Sequence, residues 1–285
     1  MVRDTVAALS RAAARDLSDG RLKCGKVLQG KAWSQGALMR ACRTENDEYV
    51  RTRYHARGSD VPASCRGPAA ERQLGVGHFA TATRCYDQQL RRPVAVKETC
   101  DHAYLAMSAQ DARLLQRMGP SRCIAELLDF VLVKHVHPDA TASRSAVTVL
   151  ELFGCDALKV FARGHVMGDA GTRQVIRDWA EGIAHVHASG RPHGDIKDDN
   201  VLVDEHLGRG KVIDPLPCDD VQAWHYAADV QGLVQLAEKL LRAGNLLSPG
   251  APGRAFIDDL HAAGLSLTLG ELRAHAYLAE GTQLR

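Results

Sequence analysis

A chain of 285 residues, 45% hydrophobic and 25% charged, is long enough for one large or two small domains with real cores. Its formal net charge of +2 gives no global argument for binding nucleic acid or an anionic membrane. Its eight cysteines are scattered without a Cys-x-x-Cys pair, which counts against a zinc site or a disulfide frame.

Those cysteines read as reduced thiols of a cytoplasmic compartment, the nucleus not being excluded. No apolar run approaches the roughly 20 residues of a membrane span, and the N-terminus lacks the apolar core of a secretory signal, so a soluble protein is expected. Val2, Val6, Leu9, Ala13 and Leu17 fall on one helical face and predict a short amphipathic helix over residues 2–17. Asp4 and Asp16 argue for a packing or partner helix over a targeting presequence. From Ser18 to Arg72 the pattern dissolves into Gly, Ser, Pro and mixed charge. Arg51, Arg53, Arg57 and Arg66 make a basic cluster there, expected as a solvated face, with a docking surface for a phosphate-bearing partner as the alternative. Residues 1–70 are therefore read as an N-terminal extension.

Short strands are predicted at 72–76, 79–86 and 93–98, then a helix from Ala103 to Met118, then strands at 124–133 and 146–152. This is a small sheet interrupted by one helix. After Gly154 the pattern turns helical: Val175, Ile176, Trp179, Ile183 and Val186 form one apolar stripe that stops at Gly190-Arg191-Pro192. The rest reads mostly as helix, so the one joint inside residues 71–285 falls around Leu152 to Cys155.

Chemistry concentrates in His193-Gly194-Asp195-Ile196-Lys197-Asp198-Asp199-Asn200, followed by the apolar runs Val201-Leu202-Val203 and Val212-Ile213 and then Asp214. In phosphoryl transfer one Asp accepts the hydroxyl proton, a Lys two residues on steadies the moving group, and an Asn five residues on holds metal; Asp195, Lys197 and Asn200 fill those places. Asp214 is placed to hold Mg²⁺. Upstream, Leu74-Gly75-Val76-Gly77 lies between two predicted strands, where glycines let backbone N–H groups approach phosphates; alone it reads equally as a hairpin turn. Val94-Ala95-Val96-Lys97 then puts a lysine within reach of the α- and β-phosphates, although an isolated strand-end lysine is also an ordinary snorkelling residue. Asp111, on the following helix, is the candidate partner for Lys97, with Leu114 and Leu115 turned to the sheet; the plain alternative is a surface acid. The strand Val147 to Leu152 opens into a connector where backbone groups of Glu151 and Phe153 suit an adenine edge, with Leu150 guarding the pocket behind; without the other motifs a simple core strand explains the run equally well.

In content and order these residues resemble the eukaryotic-like protein kinase superfamily, from Gly75 to about Leu278. Ala228-Asp229-Val230 looks like the start of a helix whose Asp anchors the catalytic-loop backbone, and Thr268 to Leu278 looks like the terminal segment of the family. The resemblance implies an α+β, bilobal protein-kinase-like fold: a small antiparallel β-sheet N-lobe with one helix over 71–152, and a mostly helical C-lobe over 155–285. It implies ATP and Mg²⁺ as cofactors, an adenine sandwiched by Ala82, Ala95 and Leu202, and a protein substrate. Lys197 resembles the serine/threonine-directed branch.

Four departures accompany the match. Ala80 stands in place of the third loop glycine. The triplet after Ile213 is Asp214-Pro215-Leu216, and Pro215 biases Asp214 away from the helical region, which predicts a metal-binding Asp held in one pose. Gly194 precedes Asp195 where the family has Arg, leaving no cation there to capture a phosphate. Only fifteen positions separate Asp214 from Asp229, too few for a phosphorylation-switched loop. The expected activity is ATP-dependent phosphoryl transfer to protein serine or threonine. The alternatives are a pseudokinase that binds or scaffolds, and a small-molecule phosphotransferase of the aminoglycoside or choline type.

Overall fold

The computed structural model describes residues 44–54, 61–66, 68, 72–77, 80–137, 141–216 and 221–279; the helix expected over residues 2–17 lies outside them. The chain divides into two compact units, residues 1–116 with 126–152, and residues 117–125 with 153–285. No helix among the described residues is long and apolar enough to cross a membrane.

The first unit is built on a six-stranded sheet. Strand β1 (Thr44–Asn46) leads into helix α1 (Asp47–Tyr54); β2 (Gln73–Val76), β3 (Thr81–Asp87) and β4 (Arg92–Thr99) follow. Helix α2 (Leu105–Met118) precedes β5 (Leu127–Val136) and β6 (Ala142–Glu151). The sheet order is β1-β5-β6-β4-β3-β2, with β1 parallel to β5 and the other neighbours antiparallel. Alternation along the strands sorts the side chains onto two faces. Val94, Val96, Val131, Val133, Val147 and Val149 pack with Val50 and Tyr54 of α1 on one face. Phe130, Leu132 and Ala146 pack with Leu105, Ala106 and Ala109 of α2 on the other.

The α+β class stands, with two additions to the small antiparallel sheet and single helix expected. Residues 44–54 supply a parallel edge strand and a second helix, so this part of the extension is ordered protein. Arg53, expected on a solvated face, instead pairs with Asp87 and Asp129. On α2, Leu105, Ala106 and Ala109 meet the sheet where Leu114 and Leu115 were expected to. At 3.6 residues per turn Leu114 lies about half a turn round from Leu105, so both cannot serve one face. Strand β5 begins at Leu127, not 124, because the Ile124 neighbourhood bonds to Val212: the Val212 N–H donates to Cys123 O at 2.9 Å and the Ala125 N–H to Val212 O at 3.2 Å.

The second unit is mostly helical. A small antiparallel sheet joins β7 (Cys155–Asp156), β8 (Val201–Asp204) and β9 (Arg209–Val212). Around it lie α3 (Ala157–Arg163), α4 (Gly168–Ala188), α5 (Ala223–Ala243), α6 (Pro252–Ala263), α7 (Leu269–Ala274) and α8 (Ala276–Ala279). The stripe Val175, Ile176, Trp179, Ile183 and Val186 of α4 is fully buried, as its period requires. Trp179 satisfies its indole N–H on Leu202 O at 3.1 Å, and buried Asp178 accepts from Arg209 Nε at 2.6 Å and Gly210 N at 3.0 Å. These bonds fasten α4 to the β8–β9 hairpin. Thr268 and Glu271 form a reciprocal capping box that starts α7.

Helix α4 packs closely at Gly182, where an added Cβ would lie 2.6 Å from Cys123 O and 2.8 Å from Val212 Cγ2. Gly182→Ala is expected to lower stability by roughly 1–3 kcal/mol through overpacking, read as a drop in denaturation midpoint. An unchanged midpoint would mean that this contact is not tight.

Candidate active site

In the first unit the strand registers gather the sequence-predicted residues. Ala82 on β3 pairs opposite Lys97 on β4, and Ala95 on β4 pairs opposite Leu150 on β6. Residues paired across strands, or two apart along one, share a face, so Ala82, Ala95, Lys97 and Leu150 line a single surface. It is the sheet face opposite the valines covered by α1. Lys97 is half-buried there, and Asp111 is half-buried on α2.

Leu74, Gly75, Val76 and Gly77 sit at the β2–β3 end. The ladder is irregular between Gln73 and Gly75, after which Gly75 pairs with Ala82 and Val76 with Thr81. The Gly77 N–H donates to Ala80 O at 2.8 Å, closing the turn. His78 and Phe79 at its tip lie outside the described residues. Neither glycine has a positive φ, and an added Cβ would meet nothing within 4 Å at Gly75 and only Ala80 O at 3.5 Å at Gly77. Among the described residues, nothing in the protein's own packing demands glycine here. A close approach by a ligand would. The Glu151 N–H donates to Glu126 O at 3.0 Å, and the Glu151 carboxylate accepts from the Glu126 N–H at 3.0 Å, fixing the end of β6.

In the second unit, Asp195, Lys197 and Asn200 converge. Asp195 Oδ2 accepts from Lys197 Nζ at 2.6 Å and from Asn200 Nδ2 at 2.8 Å. Asn200 Nδ2 also donates to Asp195 O at 2.8 Å, which ties the loop across its own turn. The Ile213 N–H donates to Asn200 O at 3.0 Å and sets Asp214 beside Asn200. Asp214 has φ of 56°, the left-handed region, where a non-glycine residue carries roughly 1–2 kcal/mol of strain. Both flanks are pinned by one residue: His193 Nε2 lies 2.8 Å from Ile213 O, and the Leu216 N–H donates to His193 O at 2.7 Å. Leu202 lies on β8 opposite Asp156 and Lys211. The half-buried Phe153 ring lies 5.3 Å from Lys211 Nζ, within cation–π range.

The loop is held from beneath by Asp229 of α5, a buried carboxylate. It accepts from His193 N at 2.6 Å and from Gly194 N at 2.9 Å, the anchoring expected of it, and contacts His187 Nε2 at 2.8 Å. Gly194, at φ 78°, takes a conformation that side chains rarely adopt. Ile196 rests on Gly232, where an added Cβ would come within 2.8 Å of Ile196 Cγ2.

Sequence reasoning gave Gly232 no role of its own beyond its place in the helix that starts at Ala228, and it missed His187 and Lys239, whose Nζ sits 2.8 Å from both oxygens of Asp198. The spacing Gly232 to Asp229 is one helical turn on the same face of α5, a signal that was present. His187 carried none, because a histidine at a helix end is unremarkable without its partner 42 positions on.

The donor set suits the groups the resemblance implies. With Asn200 Nδ2 committed to Asp195, its Oδ1 and the Asp214 carboxylate are hard oxygen ligands of the kind Mg²⁺ prefers. A family model described as a protein kinase domain matches residues 69–215, just over half of the chain. No curated protein matches it.

Burial holds the His193 imidazole below its ordinary titration range, against the opposing pull of Asp229, the Ile213 carbonyl, Asp195 and Asp214. The unfolded chain therefore binds this proton first as pH falls. The stability tied to neutral His193 is present above about pH 6.5 and lost as pH drops toward the depressed native value. Denaturant midpoints measured from about pH 7.5 to 5 should fall, and fall less in His193→Gln; equal slopes in the two proteins would contradict this.

Proposed function

Because the chain belongs to the protein kinase domain family, we propose that it transfers the γ-phosphoryl group of ATP to serine and threonine hydroxyls of proteins. The observation that carries this reading is the Asp195 carboxylate, fixed at Oδ2 by Lys197 and Asn200 on a loop whose backbone is clamped by Asp229. Such an acid is oriented before any substrate arrives, which is how a phosphoryl-transfer site lowers its barrier.

In this reading Asp195 Oδ1 receives the hydroxyl proton as the oxygen attacks. Lys197 leaves its ion pair with Asp195 to meet the moving phosphoryl, a short displacement for an exposed lysine. Lys97 binds the α- and β-phosphates, with Asp111 as its acidic partner, while the Gly75 and Gly77 backbone covers them. Ala82 and Ala95 of the first unit and Leu202 of the second are the residues assigned to the base, with backbone groups of Glu151 and Phe153 assigned to its edge and Leu150 to the pocket behind it. Asn200 and Asp214 would hold Mg²⁺, which when bound neutralises charge on the phosphate oxygens. The pinned, left-handed Asp214 keeps one metal-binding pose, consistent with a chain too short between Asp214 and Asp229 to carry a phosphorylation switch. Lys197 supports serine and threonine as acceptors.

A γ-phosphate transfer assay on generic acceptor proteins, comparing wild type, Lys97→Met and Asp195→Asn, tests this. Asp195→Asn should lower turnover by about 10²- to 10⁴-fold. Lys97→Met should lower it sharply as well and raise the KM for ATP. Equal turnover in all three would end the proposed mechanism, and thermal stabilisation by nucleotide without turnover would favour a binding module.

A further inference from the structure

Residues 44–54 precede the segment matched by the family, yet they are built into the sheet that carries Lys97. Strand β1 pairs with β5 from Thr44↔Leu132 to Asn46↔Lys134, and Asn46 Oδ1 accepts from Tyr49 N at 3.0 Å to start α1. Val50 and Tyr54 then cover the valine face of β4, β5 and β6. Two polar ties cross that face.

The first is Arg53. Its Nη2 lies 3.0 Å from Asp87 Oδ2 and its Nη1 3.0 Å from Asp129 Oδ2, joining the end of β3 to β5, strands separated in the sheet by β4 and β6. The Tyr54 hydroxyl donates to the same Asp129 oxygen at 2.6 Å. Asp87 is 0% exposed, and its Oδ1 also accepts from Gln89 N at 2.8 Å and Leu90 N at 3.0 Å inside the β3–β4 turn. The Gln88 N–H of that turn donates to Arg53 O at 3.0 Å. Burial works against the Arg53 charge, and the bonds to Asp87 and Tyr49 outweigh it, so the guanidinium is held above its ordinary value. The second tie starts at Asp47, 2.5 Å from His135 Nδ1; His135 Nε2 lies 2.8 Å from Ser145 Oγ, which donates to Glu98 Oε1 at 3.0 Å. It ends on the residue after Lys97.

We propose that residues 44–54 are a clasp on the nucleotide-binding sheet and that Arg53 is a positioning residue, which closes the β3–β4 turn and so keeps Lys97 on the ligand face. A hairpin takes its register from its turn, and a slip of one residue would send every β4 side chain to the opposite face. Arg53 supplies both a carbonyl and a guanidinium to that turn. Without it, Asp87 is a buried carboxylate lacking its cation, and the turn must rearrange to hydrate it. The inference rests on the nucleotide-binding role proposed for Lys97, and deepens it.

The test uses the full chain as wild type, Arg53→Met, Arg53→Lys, and the double variant Arg53→Met/Asp87→Asn, which removes both buried charges. Mg-ATP affinity, KM, kcat and amide exchange across Val94–Thr99 are measured below each melting temperature. Arg53→Met should weaken nucleotide binding about tenfold or more, lower kcat less than Lys97→Met does, and speed exchange in β4. Arg53→Lys should fall between it and wild type, because an ammonium restores the charge without the fork. If Arg53→Met does not fold, the double variant decides: weakened affinity with faster β4 exchange supports the proposal, and wild-type values overturn it. A lower melting temperature with unchanged nucleotide affinity in Arg53→Met would make Arg53 purely structural and overturn it too. A wild-type chain without nucleotide affinity would defeat the functional reading alone, because β4 exchange reads the clasp without nucleotide.

Discussion

One buried carboxylate governs the second unit. Asp229 accepts the backbone N–H groups of His193 and Gly194, and those bonds fix where the following residues begin. A carboxylate is suited to this because it offers several acceptor sites within one rigid group, and charge-assisted bonds are roughly twice as strong as neutral ones. Removing it would orphan two N–H groups of that loop, at about 1–3 kcal/mol each. From that anchor the order spreads outward. His193 reaches Ile213 O and receives Leu216 N, Asn200 receives Ile213 N, and Asp195 is left between Lys197 and Asn200. The strained left-handed Asp214 persists because its neighbours are bonded on both sides.

The two units solve different problems with different elements. The second holds the Asp195 carboxylate on a loop anchored to helices, where Ile196 seats against Gly232 and α4 packs against β9. The first needs a flat surface with one lysine facing a chosen side, which strand alternation provides once the register is fixed. There, α1 and the Arg53 bonds stand where the family-matched segment alone would leave six valines without this helix.

How much of this could be read from the chain follows from the range of the interactions. The octet from His193 to Asn200 was legible as a group because the chemistry proposed for it requires fixed residue types at fixed short spacings. The common face of Ala82, Ala95, Lys97 and Leu150 follows from a period of two, and the buried stripe on α4 from a period of 3.6. Residues 44–54 were illegible for the opposite reason. A three-residue strand has no period, α1 is rich in charge with only Val50 and Tyr54 buried, and Arg53 finds its carboxylates 34 and 76 positions further on. Composition alone made it a solvated arginine. Leu114 and Leu115 misled for a smaller reason: adjacent leucines announce a buried face without saying which way it turns.

The most direct measurement is single-turnover γ-phosphoryl transfer by Asp229→Ala against wild type, at a temperature where both are folded. With Asp195, Lys197, Asn200 and Asp214 all retained, the account predicts a rate lower by about tenfold or more, since a displaced loop loses its alignment. An unchanged rate would contradict it, because the order of the His193–Asn200 loop would then owe nothing to the carboxylate beneath it.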